Sequence, residues 1–142
     1  MTATVSYAEV EVGTQLPAAT FTIRRVDLVR YCGASGDFNV IHWNARVAQS
    51  VGLPDVIAHG MFTMAQAVRV VTDWCGDPAA IAEYGVRFSS MVVVPDDDEG
   101  ATLEVSGVVE DKLDAGRVVV ALTARSGGSK VLTAARAVVQ LG

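Results

Sequence analysis

Between Met61 and Trp74 the chain reads MFTMAQAVRVVTDW, apolar on almost every side of a helical wheel, with Arg69 as its one charge before Asp73. A helix of that kind is normally surrounded by protein. After CGDP the period changes. Ala79 to Pro95, Ala101 to Lys112 and Arg117 to Leu141 are rich in Val and Thr, and turn signals at PDDDEG, LDAG and SGGSK divide them into about four strands. One buried helix succeeded by an antiparallel meander long enough to wrap it predicts an α+β domain whose sheet encloses the helix. A chain of 142 residues suffices for one core and is short for two, so 1–142 reads as a single domain.

Upstream, TFTIRR suggests a short strand or loop leading into a helix. Ile23, Val26, Leu28, Val29 and Cys32 trace an apolar stripe between Thr22 and Ser35, and GASGD stops it. NARVAQSVG predicts a second, short helix with Asn44 as N-cap and Gly52 as C-cap, broken by LPDV. Cys32 and Cys75 form no CxxC pair, and the opening MTATVSYAEVEVG has neither a basic head nor an apolar run. These features predict a cytoplasmic protein with free, buried thiols. No apolar stretch approaches the roughly 18 to 20 residues of a membrane span, so no membrane association is expected. With 16 acidic against 11 basic side chains, the formal charge of −5 disfavours nucleic acid as a partner.

The stretch SGDFNVIHW, Ser35 to Trp43, crowds Asp37, Asn39 and His42 into a segment that is neither helical nor stranded. In an ideal helix Asp37 and His42 stand about 140° apart, and in a strand they face opposite sides. Only an irregular loop brings them together, and Gly36 and Asn39 both tolerate the backbone angles such a loop needs. A carboxylate beside an imidazole is general acid/base equipment. The second histidine lies in IAHGM, just before the apolar helix, where Gly60 lets a ligand approach the backbone closely and the free N–H groups of the helix N-terminus attract a partly negative oxygen. Together the two segments suit chemistry beside a carbonyl.

Each segment alone has an ordinary explanation: His42 and Asp37 as caps, His59 as a cap, Gly60 as a tight turn. GASGD falls one residue short of a G-x-S-x-G elbow and follows a helix where that elbow needs a strand, which argues against a nucleophilic Ser35. His42, His59, Cys32 and Cys75 have no recognised metal-ligand spacing. The acidic run Asp96 to Glu99 reads as a solvated turn.

The segments YCGASGDFNVIHWN, AQSVG, IAHGM and YGVRF, in this order and spacing, resemble the MaoC-like (R)-specific enoyl-thioester hydratases and hydroxyacyl dehydratases of the hot-dog fold. The resemblance covers essentially the whole chain. Within the family the pattern most resembles the HadB-type catalytic subunit of (3R)-hydroxyacyl-ACP dehydratase, which serves mycolic-acid elongation. It implies syn elimination of water from a (3R)-hydroxyacyl thioester, or the reverse hydration, with no metal and no organic cofactor. Asp37 and His42 match the catalytic dyad and Gly60 the backbone donor to the thioester carbonyl. Asn39, Ser35 and His59 fall at supporting positions, and Ile41, Met61 and Met64 at positions expected to line the acyl pocket.

Two departures stand out: Val40 replaces the usual Pro, and Thr63, Met64 and Ala65 occupy the region where some hydratases carry a helix serine. The resemblance further implies pairing, either as a homodimer or as a heterodimer with a related hot-dog subunit. The substrate that the resemblance implies is acyl-ACP or acyl-CoA. Carrier proteins are acidic, so docking one needs a local basic patch, for which Arg24, Arg25, Arg46 and Arg69 are the candidates. Two further readings of the same chain remain: a hot-dog thioesterase, and a non-catalytic acyl-binding or scaffolding subunit.

Overall fold

The computed structural model describes residues 3–142; Met1 and Thr2, the first positions of the expected 1–142 domain, lie outside the described residues. Strand β1 (Ala19–Ile23) leads into helix α1 (Arg25–Ser35), a 3₁₀ turn covers Val40–His42, and helices α2 (Ala45–Ser50) and α3 (Gly60–Cys75) come next. Strands β2 (Ile81–Phe88), β3 (Ala101–Leu113), β4 (Arg117–Ser126) and β5 (Ser129–Gln140) come after α3.

Period-two alternation accounts for the sheet. In β3, Leu103, Val105 and Val109 are buried while Thr102, Glu104 and Ser106 are exposed; in β4, Val118, Val120, Leu122 and Ala124 are the buried set. The pairings Val105–Ala124 and Val109–Val120 set apolar side chains opposite one another. In β5 the alternation slips between Leu132 and Ala135, where Ala134 takes φ +47. This local break in the ladder bends the strand. Helix α3 packs across β2, β3, β4 and β5, which is the wrapped-helix, hot-dog arrangement expected from the sequence.

Two expectations change on contact with the structure. The sheet order is β1-β3-β4-β5-β2 with every pairing antiparallel, so only β3, β4 and β5 form a meander; β2 crosses to the far edge and pairs with β5. The stretch after Phe88, read as continuing strand to Pro95, leaves the sheet. Val92 and Val94 are buried there, and the segment bonds instead to the approach to α3, through Ala58 N–H to the Val92 carbonyl at 2.9 Å and Val94 N–H to the Val56 carbonyl at 2.9 Å. Its apolar residues cover the end of the helix, and a run of valines reads alike for either task.

Helix α3 itself buries Thr63, Ala67, Val70, Val71 and Cys75, and burying each valine contributes roughly 1.5–3 kcal/mol. It is not covered on every side by this chain: Met61, Ala65, Arg69 and Asp73 are exposed. Gly76, at φ +74, ends it in the left-handed conformation. Asn44 caps α2 by accepting the Val47 N–H at 3.1 Å, and Gly52 lies just past that helix at φ +90. Both cysteines are free and buried, as the sequence predicts. Among the described residues no helix is long and apolar enough to cross a membrane.

Candidate active site

Short polar side chains turn the loop after α1. Gly36, at φ +76, closes the helix with its N–H on the Cys32 carbonyl at 2.9 Å. Ser35 Oγ donates to the Tyr31 carbonyl at 2.7 Å and accepts the Asp37 N–H at 3.1 Å. Asp37 Oδ1 accepts the Asn39 N–H at 3.1 Å, and Asn39 Oδ1 accepts the Ile41 N–H at 3.4 Å. Such local bonds replace the helix ladder and reverse the chain within a few residues. Ser35 and Asn39 are therefore builders of the loop, and Ser35, sitting at the end of a helix and tied to its backbone, lacks the setting of a nucleophile. Asn39 also holds the entry to the 3₁₀ turn where Val40 lacks the fixed φ of a proline.

His42 is buried at the end of that turn. Its Nδ1 lies 2.7 Å from the Ile57 carbonyl. A carbonyl only accepts, so Nδ1 carries the hydrogen and Nε2 keeps a lone pair. No sequence signal marks Ile57 for this task, because every residue has a carbonyl.

His59 lies beneath. It is the N-cap residue of α3, only 2% exposed, and makes no side-chain cap bond. Its Nε2–H donates to the Asp37 main-chain carbonyl at 3.1 Å, with Cys32 Sγ 3.6 Å from the same nitrogen. The His42 and His59 rings stack with centroids 3.8 Å apart and 23° between planes, and the Tyr31 ring meets His59 edge-on at 4.7 Å. Burial holds the His59 pKa below its ordinary value; the Asp37 carbonyl opposes this and the neighbouring His42 adds to it.

A carboxylate oxygen of Asp37 and one ring nitrogen each of His42 and His59 lie within 4.8 Å of one another. This is the span that one water covers with two hydrogen bonds of about 2.8 Å. The trio is a poor chelate. Imidazole lone pairs lie in the ring plane, and two stacked rings aim them along nearly parallel sheets rather than at a common ion.

Gly60 begins α3, and the first helix N–H to find an intrahelical partner is that of Thr63, on the His59 carbonyl at 3.1 Å. The Gly60 amide is thus one of the orphan donors at the positive end of the helix dipole. It opens into a cleft of about 340 Å³, walled by His42, Ile57, Thr63, Phe88, Val92 and Leu132 among others. A Cβ at Gly60 meets Phe88 Cε1 at 3.1 Å, so glycine here leaves room for the Phe88 ring to lie close against the helix start.

His42 and Gly60 therefore share one cleft, with Asp37 close to His42, while the residues expected to line an acyl pocket lie elsewhere. Ile41 is half-buried with its carbonyl on the Ile57 N–H at 3.3 Å, Met61 is 58% exposed, and Met64 is half-buried with its carbonyl on the Tyr84 hydroxyl at 2.9 Å. None of the three walls the cleft. Phe88 and Thr63 do, and the sequence offered Phe88 only as part of YGVRF. A larger groove of about 550 Å³ between β1, α1 and α3 contains none of the three converging groups.

Residues 8–126 match a family described as MaoC like domain. The 3-hydroxyacyl-thioester dehydratase X of Mycobacterium tuberculosis is 40% identical over 79 residues, which are 56% of this chain and 27% of that protein. Among solved structures, a MaoC-like dehydratase superposes with a TM-score of 0.95 at 38% identity, over 99% of this chain and 43% of its own. An unliganded R-hydratase from Pseudomonas aeruginosa superposes with a TM-score of 0.84 at 27% identity, over 99% of this chain and 87% of its own. The chain spans under half the length of the first two relatives and most of the third.

Proposed function

Because the chain belongs to the MaoC-like domain family, we propose that it is an (R)-specific hydro-lyase that adds water to a trans-2-enoyl thioester or removes it from a (3R)-hydroxyacyl thioester. One observation carries this reading. His42 lines the cleft that Gly60 enters and has its Nδ1–H fixed by the Ile57 carbonyl, which leaves Nε2 a lone pair, and an Asp37 carboxylate oxygen lies within 4.8 Å of one of its ring nitrogens.

In the dehydration direction, His42 Nε2 takes the proton from the carbon next to the thioester carbonyl. The freed electron pair forms the C=C bond as the C–O bond at the neighbouring carbon breaks. Charge builds on the carbonyl oxygen meanwhile, where the Gly60 N–H and the helix dipole stabilise it; losing one such donor typically costs about 100- to 1,000-fold in rate. Syn elimination leaves proton and hydroxyl on one face, so the imidazolium returns its proton to the departing hydroxyl. Asp37 accepts a hydrogen bond from the water so formed. Hydration runs the same steps backward.

Pairing is part of the proposal. The exposed Met61 and Ala65 on α3, the exposed Phe88 and the free edge of β2 leave apolar surface and a strand edge uncovered, suited to a second copy or to a related hot-dog subunit. Acyl-CoA and acyl-ACP both present the required thioester. Arg25, one of the four candidate docking cations, is already held by Asp55 at 2.7 Å and the Val94 carbonyl at 2.6 Å, which favours CoA or a partner-supplied patch. The two free thiols fit a cytoplasmic setting, and the mycobacterial relative's name, a 3-hydroxyacyl-thioester dehydratase, supports the hydroxyacyl-thioester substrate class.

Incubating the purified chain, alone and with a co-expressed related subunit, with trans-2-enoyl-CoA should give the 3-hydroxyacyl-CoA with no free CoA thiol. Release of thiol would point to a thioesterase, and no conversion in either preparation would overturn the assignment.

A further inference from the structure

His59 touches every part of the site without facing the cleft. Its Nε2–H holds the main-chain carbonyl of Asp37, its ring face backs the His42 imidazole at 3.8 Å, and its backbone opens the helix that presents Gly60. Its carbonyl anchors the first turn by accepting the Thr63 N–H at 3.1 Å and the Thr63 hydroxyl at 3.4 Å.

We propose that His59 is the positioning residue of the site, an imidazole whose Nε2–H and ring face fix Asp37, His42 and the Gly60 amide relative to one another. This rests on the hydro-lyase reading and deepens it. The three groups belong to different segments, and nothing in the loop's own hydrogen bonds ties Asp37 to the ring of His42. His59 supplies that tie from below, and a misplacement of about 1 Å at such a site costs on the order of 100-fold in rate.

Neutrality follows from the partners. The Asp37 carbonyl accepts only, so Nε2 carries the hydrogen, and Nδ1 is buried with no hydrogen-bond partner. A second proton there would be an unpaired, buried N–H on a cation. The titratable groups facing His59 are Tyr31 and Cys32 from α1, the Asp37 carboxylate from the loop and His42 from the 3₁₀ turn. Asp37 alone favours a charge on His59, and burial outweighs it.

The two contacts separate by substitution. His59→Gln keeps an N–H within reach of the Asp37 carbonyl and loses the ring; His59→Phe keeps the ring and loses the N–H; His59→Leu loses both. Each of the first two should lower kcat about tenfold and the third about 100-fold, with KM within about twofold and the folded state intact by circular dichroism. A folded Phe or Gln variant with wild-type kcat, or with its loss wholly in KM, would overturn the proposal, and these two suffice should the Leu variant not fold. Nitrogen-15 NMR of the wild-type side chain supplies a readout without substrate. His59 should read as the neutral Nε2–H tautomer below its ordinary pKa of about 6.5, and titration at that ordinary value would refute it. A wild-type chain lacking hydratase activity but showing that tautomer would instead locate the failure in the hydro-lyase reading.

Discussion

Burial keeps the His59 proton affinity low, the Asp37 carbonyl partly offsets this, and His42 reinforces it. Unfolding returns the side chain to its ordinary pKa of 6.5, so as pH falls the unfolded chain takes the proton first. The stability that His59 lends is therefore complete above about pH 6.5 and is lost as pH drops toward the folded-state value. The thermal midpoint of the wild type should fall more between about pH 7.5 and about pH 5.5 than that of His59→Gln; parallel curves would contradict the assignment. At this scale the sequence was legible where a residue type is rare and its spacing demands a loop, as for Asp37, Asn39 and His42. It was illegible where a main-chain atom does the work, as at Ile57, or where a contact joins distant segments, as in the stacking of two imidazoles. The acyl-lining residues were hard to read for the same reason: Met61 and Met64 are apolar and near Gly60 in sequence, but the cleft of this chain is walled by Thr63 and not by either methionine.

Among the elements, hairpin turns and alternating strands were read correctly because their signals are local. The turn between β3 and β4 brings Ala115 to φ +61 and Gly116 to φ +75. The loop between the paired Leu113 and Arg117 thus holds two consecutive left-handed residues, a conformation that Asn and Gly accept most readily. Ala115 bears the steric penalty of that conformation, which Asn relieves through its short polar side chain. Ala115→Asn should raise stability by about 0.5–1 kcal/mol in chemical denaturation, whereas an unchanged or lower midpoint would argue against strain at this position. The placement of β2 and the fate of the residues after Phe88 were not legible. An apolar, β-branched run satisfies a strand and a helix-covering segment equally, and only long-range pairing decides between them.

For the whole molecule, the wrapped-helix architecture came from two facts that survive without detail: one long apolar helix, and enough alternating chain to surround it. The sequence also made that helix too apolar for the cover this chain provides, and the exposed flank around Ala65 is where the excess shows. Ala65→Arg should convert a paired species into a monomer of 14.9 kDa by light scattering, with secondary structure retained; pairing unaffected by that charge would place the interface elsewhere. The central claim remains that one bent loop makes Asp37 and His42 a single acid/base device over the Gly60 amide. Its most direct test is the hydration rate of trans-2-enoyl-CoA by folded Asp37→Asn and His42→Ala beside the wild type. Losses of about 100- to 10,000-fold in each are predicted, and near-wild-type rates in both would contradict the claim.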